Sequence, residues 1–585
     1  MTTNAEVADR LEEMGDLLEA QDVEFKPRAY RRAAETIRGQ PTPVEEIVEA
    51  GGVEALQELE HVGEAIASKV AEYVETGEIE ELEELRDELP VDMEALTRVE
   101  GVGPKTVGKL YDALGIRTLD DLEAAAEAGE IREVSGFGAK TEENILEGIE
   151  FARQSRERQL LGEARPLADE ALSYLAGVDA ADRWEVAGSI RRWRATIGDV
   201  DVLVATEEPE SVVEAFVDWD RVDDVIEAGT TKASTRVAGV RIDLRTVVPE
   251  EFGSALQYFT GSKDHNITLR NYAIDRGVKL NEYGAFDVSG IDDPDAGQRV
   301  GVRIGGETEE SMYAALDLPW IPPEMREDRG EIAAAAAGEV PDLIGEDAVR
   351  GDLHTHTEWS DGDATIEALA RGAVEYGHDY LCISDHATGP GMVGGVGLED
   401  DELREQMAEI RAVDDDLDDV DLLAGVEANV DADGGVSVAD DLLADLDLVV
   451  ASPHSALDQG TDAATDRLIA AVEHPHVDVL GHPSGRLLNR REGMTFDVDR
   501  VVEAAADAGT ALEINANPSR LDLWGSAVGT AVEAGATIAI NTDAHHPNEF
   551  PNVRYGVHVA RRGWAEAADV LNTGDVEAVR AFVEE

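Results

Sequence analysis

This chain of 585 residues holds a single cysteine, and only eight of its 49 basic residues are lysines, none beyond Lys279. No apolar run approaches the roughly 18 residues of a bilayer-spanning helix, and the polar opening MTTNAEVADR does not read as a signal peptide. The lone thiol, Cys382 in YLCIS, excludes an internal disulfide framework and fits a reducing cytoplasm. Membrane proteins and disulfide-stapled secreted domains are thereby set aside.

What the chain has in excess is acid. Against 127 Asp and Glu the basic residues leave a net charge of −78, which in dilute buffer means strong self-repulsion. At molar salt the Debye length falls to about 3 Å. An acidic, lysine-poor surface is therefore expected of a protein from an extreme halophile, and at low salt the charge favours a monomer. Disorder is the competing reading, but 43% of residues are hydrophobic and the acids are spread through periodic apolar patterns. Length predicts about three to four domains.

Residues 7–20 and 43–56 have helical spacing, and between them FKPRAYRRAAETIRG (25–39) is a basic island. Three segments then share one plan: an apolar residue, a glycine turn, a helix. They are ELEHVGEAIASKVAEYV (58–74), VEGVGPKTVGKLYDAL (99–114) and VSGFGAKTEENILEGI (134–149). Gly63, Gly101, Gly103, Gly136 and Gly138 would let the backbone approach a phosphate at the following helix N-terminus. Four of the eight lysines, Lys69, Lys105, Lys109 and Lys140, fall in these segments, which predicts phosphate contact.

From about 151 to 320 short β-rich runs alternate with helices. In GSIRRWRATIGDVDVLV (188–204), Asp199 and Asp201 alternate with valines, so a strand puts both carboxylates on one face. Asp243 in VRIDLRTVV supplies a third acid, and three carboxylates suit two magnesium ions. Gly188 and Ser189 with Arg192 can hold phosphates. LPWIPPEMREDRGE (318–331) reads as a domain exit, and AAAAA at 333–337 as a linker.

From about 346 short apolar runs stop at polar residues in a regular beat: His354, His386, Glu427, His454, His482, Asn515 and Asp543, with spacings of 32, 41, 27, 28, 33 and 28. That is the size of a strand-plus-helix unit, and seven units predict a parallel βα barrel with the site at the strands' carboxyl ends. An open doubly wound sheet is the alternative. In GDLHTHTEWSDGD (351–363), His354 and His356 point to one side. Asp361, His386, Glu427, His454, His482, Asp543 and His545 would reach the same rim. Imidazole mixed with carboxylate suits zinc, manganese or iron, and nine groups can hold two or three ions. His378, His474, His476, His546 and His558 fit the pattern less well and read as ordinary residues.

HTHTEWSDG, SDH, GVEAN, SPH, GHP and NTDAH, in this order over 350–546, resemble the PHP family of metal-dependent phosphoesterases, a distorted seven-stranded barrel. The resemblance implies that His354, His356, Glu427 and Asp543 share one ion, Asp361, His386 and His482 a second, and Glu427, His454 and His545 a third. The spacing GS-x9-D-x-D, then IDLR and YFTGSKDHN, resembles the family X DNA polymerases over residues 1 to about 320. That implies a nucleotidyltransferase palm with a mixed sheet and a thumb-like subdomain, with Asp199, Asp201 and Asp243 as catalytic carboxylates binding magnesium or manganese. Ser189 and Arg192 would bind the triphosphate, and Arg245 would support the carboxylates. Tyr258, Phe259 and Gly261 would line the sugar, and Asn266 would reach the base edge.

The three glycine-turn segments resemble helix-hairpin-helix DNA-binding motifs. Lys69 aligns with the Schiff-base lysine of relatives with 5′-deoxyribose-phosphate lyase activity, although Ala65 stands where a flanking lysine is expected. The whole order resembles the bacterial and archaeal PolX polymerases. It implies a helical lyase-like domain (1–85), a helix-hairpin-helix subdomain (86–150), the palm (151–250), a nucleotide-binding subdomain (251–320), a linker (321–345) and the PHP domain (346–585). The implied function is gap filling in DNA repair, joined to 3′–5′ exonuclease or 3′-end processing and cutting at abasic sites. Partners would be gapped or nicked DNA and deoxynucleoside triphosphates. One alternative makes the first half a DNA-binding module for the nuclease. Another, a small-molecule phosphatase, suits an isolated PHP domain.

Overall fold

The computed structural model describes all residues except 1–3, 24–25, 39–43, 58, 60, 98, 100, 157, 295, 390–395 and 585. It divides into two compact units, Met1–Glu157 with Asn489–Glu492, and Arg158–Leu488 with Gly493–Glu585.

The first unit is helical. Along Asn4–Ala20, Val7, Leu11, Met14 and Leu18 recur at three- and four-residue steps and are buried, facing Ala33, Ala34 and Ile37 of Lys26–Arg38. The helix expected over 43–56 is interrupted: Val44–Leu56 is broken at Gly52 (φ 61°, ψ −148°), where glycine alone tolerates the turn. Gly108, inside Pro104–Leu114, lies so close to Ala20 that a Cβ would stand 2.1 Å from its carbonyl oxygen.

In the second unit, β1 (Arg183–Val186), β2 (Val200–Ala205), β3 (Asp224–Ala228), β4 (Lys232–Val237) and β5 (Val240–Val247) form a mixed sheet in the order β1-β2-β5-β4-β3. Only β2 and β5 run parallel, in a register that sets Asp201 beside Asp243. A smaller antiparallel sheet follows, with β6 (Val278–Asn281), β7 (Gly284–Asp287) and β8 (Val302–Gly305).

Residues 318–337 are packed rather than loose. Ile321, Met325, Ile332 and Ala335 are buried with the smaller sheet's core, and the alanine run lies in a helix, Glu331–Ala337. An alanine run has high helix propensity, and here Ile332 and Ala335 give it an apolar face to bury.

Seven parallel strands then pair in chain order: β9 (Gly351–Asp352), β10 (Tyr380–Ile383), β11 (Asp421–Asn429), β12 (Leu448–Ser452), β13 (Val479–Leu480), β14 (Ala511–Asn515) and β15 (Ile538–Asn541). The first and last strands also meet. Thr355 bridges Ala544, Leu353 N donates to Asn541 Oδ1 at 3.1 Å, and Thr542 Oγ1 donates to Asp352 at 2.5 Å. Asn572 adds a clasp, its Nδ2 donating to Gly351 O at 2.8 Å and Ile540 O at 2.6 Å. The result is a nearly closed barrel, not an open doubly wound sheet. Alternate residues such as Cys382, Leu423, Val450 and Val479 form one cluster, while Leu381, Val449 and Leu512 belong to the core shared with the surrounding helices.

Candidate metal centres

Asp199, Asp201 and Asp243 bring carboxylate oxygens within 4.8 Å of one another. Strand geometry causes this. Asp199 and Asp201 sit two residues apart on one face, while Val200, Val202 and Val204 are buried on the other. Gly188 (φ 63°) lets the preceding turn close over Asp201, since a Cβ there would stand 2.3 Å from Asp201 Oδ2. Burial, helped by Asp199 and Asp243, pushes the Asp201 carboxyl up to about 7. A close-packed all-oxygen set with that much mutual repulsion fits hard divalent cations.

Asp201 and Asp243 open on a cleft lined also by Ser234, Arg241, Arg245 and Phe259. Arg245 lies over the Phe259 ring at 4.5 Å, and Tyr258 meets Phe259 edge-on. Arg192 donates through Nη1 to Thr260 O, and its Nε is 3.1 Å from Glu327. Asn266 accepts from Gln257 at 2.8 Å and donates to Tyr258 O at 2.8 Å. Ser189 stands in the short helix Gly188–Arg191, and Gly261 has φ 67°. Arg241, which sequence reasoning missed, pairs with Asp243 at 2.9 Å. Its position two residues before Asp243 on a strand was the available signal.

At the barrel rim, Glu427 is the hub. His482 Nε2 lies 3.0 Å from it, His454 Nε2 3.2 Å and His354 Nε2 3.4 Å, with His386 Nδ1 also in contact. Asp543 (φ 56°) faces His356 Nε2 at 3.1 Å, and Asp361 faces His545 Nε2 at 3.4 Å and His386 Nε2 at 3.5 Å. Three groups could each hold an ion: His356, Asp361, His386 and His545; His354, His356 and Asp543; His386, Glu427 and His454. Relative to the implied partition, His545 stands with Asp361, and His482 stands by Glu427.

The donor set fits metal ions. His354 Nε2, His356 Nε2, His454 Nε2 and Glu427 Oε2 are buried without a properly oriented hydrogen-bond partner, and each points into the cluster. Burial alone would raise Glu427, yet His454, His386 and His354 hold it well below the carboxylate range. Behind them stands a supporting shell that the sequence reading left out. Glu513 accepts from His354 Nδ1 at 2.8 Å and from His482 N at 2.7 Å. Asn429 meets His454 Nδ1 at 2.7 Å, and Asn515 donates to Asp543 at 3.0 Å. Such partners fix the tautomer that points a ring nitrogen at a metal. Polar residues inside apolar strands (ALEIN, GVEAN) were the signal for them. His558, read as ordinary, is buried between Glu324 and Glu346 and stacks on Trp193, far in kind from a ligand.

In the helical unit, Gly63 and Gly103 precede the helices Glu64–Thr76 and Pro104–Leu114 with extended backbone and no side-chain cap. A Cβ at Gly63, Gly101, Gly103, Gly136 or Gly138 would meet nothing within 4 Å. Internal packing does not demand glycine at Gly63, Gly103 or Gly138, but close approach of an outside phosphate backbone would. Lys105, Lys109 and Lys140 are exposed beside these turns. Lys69 is different: its Nζ is 2.7 Å from Glu81 Oε2. Burial lowers its basicity, but Glu81 and Tyr30 more than restore it, so it is held as a cation rather than a free amine.

Comparison with known proteins matches residues 2–79 to a helix-hairpin-helix domain, 93–150 to a SAM-like helix-hairpin-helix tandem, 255–327 to the DNA polymerase beta thumb and 352–517 to the PHP domain. DNA polymerase/3′-5′ exonuclease PolX of Bacillus subtilis is 35% identical over 565 residues, 96% of each chain. The probable phosphatase TTE1963 of Caldanaerobacter subterraneus is 34% identical over 206 residues, 33% of this chain and 75% of that protein. DNA polymerase lambda of Rattus norvegicus is 25% identical over 349 residues, 55% of this chain and 56% of that protein.

Proposed function

This chain belongs to the PolX family of DNA polymerases that carry a PHP domain, and from that premise we propose how its two metal centres divide one repair task. The protein is a DNA-directed DNA polymerase with a metal-dependent 3′–5′ exonuclease activity. One observation carries the division: a single chain holds both three clustered carboxylates, two of them in register, and a rim of nine histidines and acids. The palm acids extend a primer in a short gap, and the barrel rim removes 3′ nucleotides or blocked 3′ ends that the palm cannot extend.

At the palm, Asp199, Asp201 and Asp243 would hold magnesium or manganese. At the rim, His354, His356, Asp361, His386, Glu427, His454, His482, Asp543 and His545 would hold two to three manganese, zinc or iron ions. Bound cations supply charge neutralisation at the phosphate and lower the pKa of the attacking group at both centres. The chain's own residues do the rest. Ser189 and Arg192 grip the triphosphate, Arg245 steadies the acids, and Gly188 keeps the turn close to Asp201. Tyr258, Phe259 and Gly261 shape the sugar pocket, while Asn266, hydrogen-bonded to the Tyr258 carbonyl, reads the base edge. In the rim, Glu513 and Asn429 hold the imidazoles in the ligating tautomer.

The helix-hairpin-helix segments give the protein its hold on DNA. Their glycine turns present backbone N–H groups to phosphate, a contact less sensitive to salt than long-range attraction. That suits a chain with −78 charges, for which we assign a molar-salt working environment. Among the described residues no helix is long and apolar enough to cross a membrane.

Labelling tests the polarity. A 3′-labelled strand should release its label at once as a mononucleotide, and a 5′-labelled strand should shorten stepwise. Release of long 3′-labelled fragments would replace the exonuclease by an endonuclease.

A further inference from the structure

Outside the two metal centres, a dense charge cluster joins the palm to the helix Val553–Arg562, which follows the rim loop carrying His545. A single carboxylate, Glu327, serves three guanidinium groups there. Arg192 Nε and Arg562 Nη1 each stand 3.1 Å from Oε1, and Arg194 Nη1 stands 3.3 Å from Oε2. Arg562 also donates to the Arg192 carbonyl at 2.5 Å, and Arg329 donates to the Arg562 carbonyl. Glu327, Arg192 and Arg562 are nearly buried, with side chains 12 to 13% exposed. Four arginines around one acid is a local reversal of sign in a chain of net charge −78.

Arg192 therefore already faces one anion, Glu327. In the structure its Nε is on Glu327 and its Nη1 is on the Thr260 carbonyl, so neither two-nitrogen edge of the fork is whole for a phosphate. A triphosphate at Ser189 and Gly188 that takes the Nε–Nη2 edge with two bonds must displace the carboxylate from it. Displacement from Arg192 alone strands no buried charge, because Arg194 and Arg562 keep Glu327 paired. The position is a two-partner switch, with one cation from the palm and the other from the barrel's helix.

We infer that Glu327 sets the polymerase centre's nucleotide affinity by competing with the triphosphate for Arg192, and that Arg562 draws Glu327 away when nucleotide binds. Glu327 is a positioning residue: it acts through Arg192. The inference rests on Arg192 being a triphosphate ligand, as assigned above. It also means that the barrel half, through Arg562, tunes the palm without any residue of the nuclease rim taking part.

Gap filling by the full-length protein, with KM for the nucleotide and kcat measured separately, tests it. Glu327→Gln keeps the shape and removes the competing charge. KM should fall roughly fivefold, with kcat within about twofold of wild type. Arg562→Gln should raise KM by a similar factor, because Glu327 then falls back on Arg192. Trimming in the absence of nucleotide should not change in either variant. Arg192→Gln should raise KM and abolish the effect of Glu327→Gln in the double variant.

A KM that does not fall in a folded Glu327→Gln protein overturns the inference. So does a KM that does not rise in Arg562→Gln, which decides the matter if Glu327→Gln fails to fold. If Arg192→Gln itself leaves KM unchanged, the assignment of Arg192 to the triphosphate is what fails.

Discussion

At the residue scale, function depends on groups that hold other groups. Glu513 accepts from His354 Nδ1 and from the His482 backbone, so it fixes a ligand it does not share. Glu513→Gln should weaken metal binding at the rim about tenfold to a hundredfold, read as a higher metal concentration for half-maximal trimming, with primer extension unchanged. Asp478 is a second case. Burial pushes its carboxyl up to about 7, although Val449 N donates to it at 2.8 Å. A raised carboxyl pKa means the folded state holds the proton longer than the unfolded chain, so stability falls as pH climbs from about 4 to about 7. Between pH 5.5 and 8 wild type should lose about 2 kcal/mol through this group. Asp478→Asn should remove that loss, and parallel pH dependences of the two proteins' chemical denaturation would contradict it. Six of the nine rim residues were legible because each closes an apolar run in a fixed beat, and His356, Asp361 and His545 because they lie within a few residues of those six. Glu513, Arg241 and Glu327 were not, because each lies within a motif whose other members had drawn the reading. The partners of Glu513 and Glu327 are also distant in sequence: Arg562 lies more than two hundred residues from Glu327.

At the scale of elements, the beat of apolar runs contains the strand order, since parallel strands separated by one helix pair with their sequence neighbours. The beat is silent on closure. That comes from Thr355 against Ala544 and from Asn572, whose amide joins β9 to β15 from the short 3-10 helix Leu571–Thr573 beyond the last strand. Ile540 N also donates to Asn572 Oδ1 at 3.0 Å. Asn572→Ala would leave three buried backbone groups unpaired and should cost about 3 kcal/mol or more, measured by denaturant unfolding. A loss below about 1 kcal/mol would mean that the barrel closes without this clasp. The segment 318–337 misled for the opposite reason: prolines and alanines suggest an exit and a linker, but Ile321, Met325 and Ile332 give it apolar faces to bury.

At the scale of the whole molecule, a charge of −78 should make the fold depend on salt. Circular dichroism and gap filling should rise together between about 0.1 and 3 M potassium chloride. Full folding and activity at the low end would refute the molar-salt assignment. The central claim is that one chain runs two independent metal centres. The direct measurement is a gel of a 5′-labelled primer on a gapped template, in concentrated potassium chloride with manganese, with and without deoxynucleotides. Wild type would run beside Asp201→Asn and His356→Ala. Asp201→Asn should lose extension by about a thousandfold and keep trimming, and His356→Ala should do the reverse. Loss of both activities in either folded variant, or trimming without any extension in wild type, would contradict two separate centres.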